Sequence, residues 1–139
     1  IKYIPVLNDE LTDLFEEKYE AIPENSQLRR MQQELAKLSE SEGFPFLNSQ
    51  SCMTLHAKMR ALENRLLNND QLDEALSADI DAYENAMMRN IYSYCQNNQL
   101  SKAVFMCGSA HRQSIIEKIT YFQANESVDV NWSLYGNKQ

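Results

Sequence analysis

The sequence predicts a helix-dominated α/β fold, with four N-terminal helices followed by a parallel strand–helix–strand unit belonging to a larger sheet. Three observations predict it. Gly and Pro number 3 each in 139 residues, too few for a turn-rich β-fold. Apolar residues recur at spacings of three and four through most of the chain, the period of an amphipathic helix. Near the C-terminus this gives way to an unbroken apolar run, a helical segment and a period-two run, the order of a parallel crossover.

Ile1–Val6 has β-type composition, but Pro5 removes a ladder donor, so the segment reads as an edge strand or an extended lead-in. Asn8 or Asp9 caps a first helix that carries Leu11, Leu14, Phe15, Tyr19 and Ile22 on one face, and Pro23 stops it. A second helix starts near Glu24, with Leu28, Met31, Leu35 and Leu38 as a narrow apolar seam. Ser39–Gly43 breaks it, and Gly43–Phe46 reads as a connector with buried aromatics. Ser51 is placed to cap a third helix with the stripe Cys52, Leu55, Met59, Leu62 and Leu66. After the turn Asn68–Asn69–Asp70, the stripe Leu72, Leu76, Ile80, Tyr83, Met87, Ile91 and Tyr94 marks a fourth helix of about 25 residues.

Ala103–Cys107 is apolar at every position, as expected of a short strand covered on both faces. Gly108–Ser109 turns the chain into a helix from His111 to Phe122, with Ile115, Ile116, Ile119 and Phe122 inward. Val128, Val130, Trp132 and Leu134 then alternate as a strand with one buried face. Residues 1–139 thus form a single domain or a domain fragment, helical over 8–98 and strand–helix–strand over 102–135. Two parallel strands cannot satisfy their own edges, so either Ile1–Val6 adds a third or more sheet lies outside the chain.

Composition excludes several classes of function. A hydrophobic share of 43% against 24% charged residues is globular rather than disordered. The net charge of -7 repels phosphate, which argues against nucleic acid and anionic membrane as partners. No apolar run approaches the roughly 18 residues of a membrane span. Cys52, Cys95 and Cys107 are odd in number and contain no CxxC pair, which suits free thiols in a reducing, cytoplasmic compartment. The chain begins at Ile1 rather than Met, so a processed form or a fragment is expected, with a leader or upstream segment missing.

Candidate chemistry collects at the end of the first predicted strand, the position where open α/β folds bind ligands. Gly108 lets backbone approach a ligand, and the amides of Ser109 and Ala110 open a helical turn whose first N–H groups lack partners. His111 sits in that turn as a base, hydrogen-bond partner or metal ligand, with the helix dipole disfavouring its charged form. Placed on the surface, it is expected to tolerate His111→Ala at a cost within about 1 kcal/mol. Ser109 stands outside a G-x-S-x-G elbow, and Cys107 belongs to the apolar run, so neither reads as a nucleophile. His56 has no second histidine at i+4, and Asp79, Asp81 and Glu84 read as a solvated acidic face. Arg89–Asn90 interrupts an apolar stretch; its spacing favours an ordinary surface arginine, and the other reading is an arginine that orders a loop carboxylate or binds a substrate anion.

The order Arg89–Asn90, Lys102–Ala103–Val104–Phe105–Met106–Cys107–Gly108–Ser109–Ala110–His111 and Ile115–Ile116 resembles the closing segment of the TraB/GumN, ChaN and erythromycin-esterase-like superfamily. Those domains carry an Arg-Asn or Arg-Asp helix start, an apolar strand and a G-x-x-H motif. The resemblance covers roughly residues 80–135. It implies that His111 is the second of two site histidines, Gly108 the close-approach glycine and Arg89 the ordering or anion-binding arginine. The superfamily completes its site with an N-terminal strand motif of Gly, Glu and His, which this sequence lacks. The resemblance therefore implies half of a hydrolase-like or metal- or haem-binding site at Gly108–His111, with no ester turnover by the chain alone. A catalytically inactive helical protein–protein interaction module is the alternative, with Leu28–Leu38 as its partner surface. Candidate partners are a further copy of the chain or the missing N-terminal segment.

Overall fold

The structure, a computed structural model, describes residues 2–6, 13 and 16–136. Most of the first expected helix, including Leu11, Leu14 and Phe15, lies outside the described residues, though residues 16–19 are helical. Helix α1 spans Ser26–Glu42, α2 Phe44–Leu47, α3 Gln50–Leu67, α4 Asp70–Asn97 and α5 Arg112–Asn125, with a 3-10 turn, Ser109–His111, leading into α5.

Local chemistry sets these boundaries. The Asn25 side chain accepts from the amides of Gln27 and Leu28 at 2.9 and 3.1 Å and so starts α1. Gly43, at φ 63°, ends it, in a region of backbone space that a side chain resists. The expected connector is instead the short helix α2, with Pro45 in its first turn and Phe46 buried. Ser49, rather than Ser51, caps α3, its hydroxyl accepting from the Cys52 amide at 3.1 Å. Asn68 closes α3 in the left-handed region, and Asn69 rather than Asp70 caps α4. Asp70 and Asp73 then sit in the first turn of α4, where negative charge favours the dipole.

Two apolar clusters lie along this frame. The first gathers Leu28, Phe46, Cys52, Leu55, Met59 and Leu62 from α1, α2 and α3. The second joins Tyr83, Met87, Met88 and Tyr92 of α4 to Ile115, Ile119 and Phe122 of α5. Helix α4, 28 residues long, packs on α3 as well as on α5. The seam Met31, Leu35 and Leu38 packs against the first cluster, so the surface expected to meet a partner faces inward.

The α/β expectation is wrong. Among the described residues there is no strand and no sheet, and hence no parallel strand–helix–strand unit. Residues 102–108 and 128–134 carry no regular secondary structure, and no backbone hydrogen bond joins them to each other or to residues 2–6. Residues 128–134 still alternate between covered and exposed positions. In the first run Phe105 alone packs on the second cluster, while Val104 and Met106 are 81% and 73% exposed, so the run is not covered on two faces. Cys107, expected to be buried, is exposed. Val128, Val130, Trp132 and Leu134 pack on the same cluster, and Trp132 Nε1 donates to the Tyr92 hydroxyl at 3.1 Å. Aromatic contact with the helices holds these segments, and two extended segments alone bury too little to make a stable sheet. No helix among the described residues is long and apolar enough to cross a membrane.

Candidate functional site

The turn Ser109–His111 touches α3 on one side and α5 on the other, so it lies where the two clusters meet. Both histidines of the sequence converge on it, although 55 positions separate them.

His111 Nδ1 lies 2.8 Å from Glu84 Oε2, and Ser114 Oγ donates to Glu84 Oε1 at 2.8 Å. Glu84 is only 3% exposed, and a buried carboxylate of this kind needs its partners. A carboxylate accepts, so Nδ1–H is the donor of this contact, and Nε2 is the ring nitrogen on the other side. The Tyr83 ring packs 5.4 Å from the imidazole and limits its rotation.

His56 approaches from α3, its Nε2 2.9 Å from Ser109 Oγ. Burial lowers the pKa of His56 below 6.5, and the nearby His111 lowers it further. The imidazole facing Ser109 is therefore neutral near pH 7. Cys52, one helical turn earlier, also reaches Ser109 with its side chain, and burial pushes its thiol up. The thiol is fully buried and packs as a small apolar group. Arg112 donates to Asn48 Oδ1 and to the Tyr135 carbonyl, both at 2.8 Å, and ties the start of α5 to the neighbouring loops.

The other expected residues fall as follows. Gly108 is extended, at φ -60° and ψ 143°. A Cβ there would meet only His111 Cδ2 at 3.6 Å, so nothing in the backbone demands a glycine. Ala110 is exposed beside it. Arg89 is exposed on α4 and makes no hydrogen bond or ion pair among the described residues. Asn90 donates instead to the Val6 carbonyl at 3.2 Å. Asp79 pairs with Lys18 and Asp81 with Lys118, while Glu84 turns inward, so the acidic trio is not one solvated face.

A divalent metal does not fit the residues present. Among the described residues no group of three or more His, Cys, Asp or Glu side chains could hold one, and both histidines already have protein partners at the turn. Two clefts, of about 310 and 490 Å³, lie along α1 and α3, and no residue of the turn lines either of them.

Sequence reasoning missed His56 and Glu84. Glu84 falls in the row Leu76, Ile80, Glu84, Met88 and Tyr92, every fourth residue of α4, which places it on a buried face. His56 shares its face of α3 with Cys52, four residues earlier.

No protein-family model matches the chain, and no curated protein or solved structure matches it either.

Proposed function

We propose that the Gly108–His111 turn is the acid–base end of a hydrolase-like site acting on a carbonyl substrate. One observation carries the reading: His56 and His111 meet at the turn, one on Ser109 and the other anchored by buried Glu84. A carboxylate that fixes an imidazole by one nitrogen presents the other nitrogen for proton transfer. In this role His111 Nε2 takes or returns a proton, and Glu84 sets the ring's tautomer and stabilises its charged form. The resemblance of residues 80–135 to the TraB/GumN, ChaN and erythromycin-esterase-like superfamily implies the same role for His111, although the apolar strand that it includes is absent among the described residues.

The test uses a hydrolysis product as probe. Butyrate titrated into the labelled chain should shift the His111 ring and the Ser109 and Ala110 amides saturably in NMR spectra, and His111→Gln should remove the response. Shifts spread evenly over the surface, or none at the turn, would overturn the proposal.

A second reading, a protein–protein interaction module, is favoured by a separate observation. Val104 and Met106 are exposed on a segment without backbone hydrogen-bond partners among the described residues, the form of an edge that another strand can join.

A further inference from the structure

Ser109 and His56 come from different parts of the chain, the start of the turn before α5 and the middle of α3, so no local motif links them. The folded chain nevertheless brings Ser109 Oγ to 2.9 Å from His56 Nε2, the reach of a nucleophile to its general base. Both residues are only partly buried, unlike Glu84, so the pair lies nearer to solvent than the buried carboxylate does.

We infer that Ser109 is a nucleophile that small activated esters acylate, with His56 as its general base. The inference rests on the hydrolase-like reading above and deepens it by naming the attacking atom. It also sets aside the sequence-based objection to Ser109. A G-x-S-x-G elbow is one way of presenting a serine, whereas here the base comes from a different helix, α3, and meets the hydroxyl at the turn.

Each step balances within the pair. Ser109 Oγ attacks the ester carbonyl carbon as its proton passes to His56 Nε2. The tetrahedral adduct collapses, the bond from carbon to the alcohol oxygen breaks, and the proton on His56 leaves with the alcohol. The acyl group is then an ester of Ser109. Water attacks that ester with His56 again accepting the proton, the acid departs, and the serine recovers its hydrogen. The Ser109 and Ala110 amides precede the first bond of the turn, from the His111 amide to the Gly108 carbonyl at 3.0 Å. These N–H groups are left without a partner inside the turn, and in this scheme they hold the oxygen that becomes charged in the adduct.

His56 meets the demand on a base in two ways. Among the described residues Ser109 is its hydrogen-bond partner, so the nitrogen that must accept the proton is already aimed. Burial and the neighbouring His111 keep the ring neutral.

The test is covalent labelling of the full chain by an alkyl fluorophosphonate, in which the serine oxygen displaces fluoride from phosphorus. Intact-mass and peptide mapping should find one adduct, on Ser109, absent in Ser109→Ala. In His56→Gln the labelling rate should fall about 100-fold, in line with loss of a general base. An adduct on another residue, or none on the wild-type chain, would overturn the inference without recourse to any variant. So would an unchanged rate in folded His56→Gln. A chain that binds butyrate at the turn but resists the phosphonate keeps the acid–base reading and loses the nucleophile. Labelling of Ser109 without butyrate binding keeps the nucleophile and removes the role given to His111.

Discussion

Glu84 Oε2 and His111 Nδ1 stand 2.8 Å apart, and they join the middle of the longest helix to the turn that opens α5. The carboxylate is nearly inaccessible to water while the imidazole is half-buried. The pair therefore ties the fold together as well as orienting the ring.

Glu84→Ala removes the partner of both His111 and Ser114 and leaves a small cavity beside Met87 and Met88. We expect a loss of about 3 kcal/mol in chemical denaturation. His111→Ala leaves the buried carboxylate with Ser114 alone, so its cost should be about 2 kcal/mol rather than the smaller figure suggested by the sequence. Near-neutral values for both variants would mean that the contact contributes nothing to the fold.

His56 makes stability depend on pH with a definite sign. Its folded pKa lies below 6.5 because burial, and then His111, disfavour the charged ring. Between that value and 6.5 the unfolded chain binds more protons than the folded one, so stability falls as pH drops through the interval. Its contribution is complete above 6.5. Denaturation midpoints measured from pH 7 to 5 should decline less in His56→Gln than in the wild type, and equal slopes would refute the assignment.

Glu63 acts in the opposite direction. Burial raises its pKa above 4.5, Arg60 opposes the shift and Asp73 adds to it. Between 4.5 and the raised value the folded chain holds the extra proton, so its contribution weakens as pH rises through the interval. Glu63→Gln should therefore stabilise the protein at pH 7, with the gain disappearing below about pH 4.5. Thermal melts at pH 7 and pH 4 would check this, and a destabilised variant at pH 7 would contradict it.

Two glycines should respond differently to alanine. Gly108→Ala meets only an ordinary contact at 3.6 Å and an accessible backbone conformation, so its stability should stay within about 0.5 kcal/mol of the wild type. Gly43→Ala finds open space but must hold φ 63°, a strain of about 1 kcal/mol or more. Comparable melting temperatures for the two variants would show that the ending of α1 does not depend on that angle.

Val104 and Met106 provide the check on the interaction reading. If the outward face of residues 103–107 joins another chain, Val104→Lys with Met106→Lys should abolish concentration-dependent association in sedimentation velocity. Phe105, which packs inward, is the contrasting position, and Phe105→Ala should cost about 3 kcal/mol of stability. Association that persists in the double lysine variant would place the interface elsewhere.

Helical periodicity located α1, α3 and α4 because their buried faces repeat every three or four residues, as Cys52, Leu55, Met59 and Leu62 do. It erred where the caps shift by a residue or two, since Ser49 and Asn69 compete with Ser51 and Asp70 for the same role. The alternation at Val128–Leu134 correctly marked one covered face. A strand also needs a hydrogen-bonded neighbour, and side-chain pattern is silent about that. At the site, His111 and Ser109 were legible from the glycine-led turn. His56 and Glu84 were not, because their significance depends on which helix faces become neighbours.

Helix α4 has a mechanical consequence. Along this rod of roughly 42 Å, Asp73 pairs with Arg60 of α3 near one end and the Tyr92 hydroxyl accepts from Trp132 toward the other. Loosening at either end is therefore transmitted along a single stiff member. Backbone amides near its midpoint, from Tyr83 to Met88, should exchange hydrogen only when the entire molecule opens, and both ends of the chain should melt in one step.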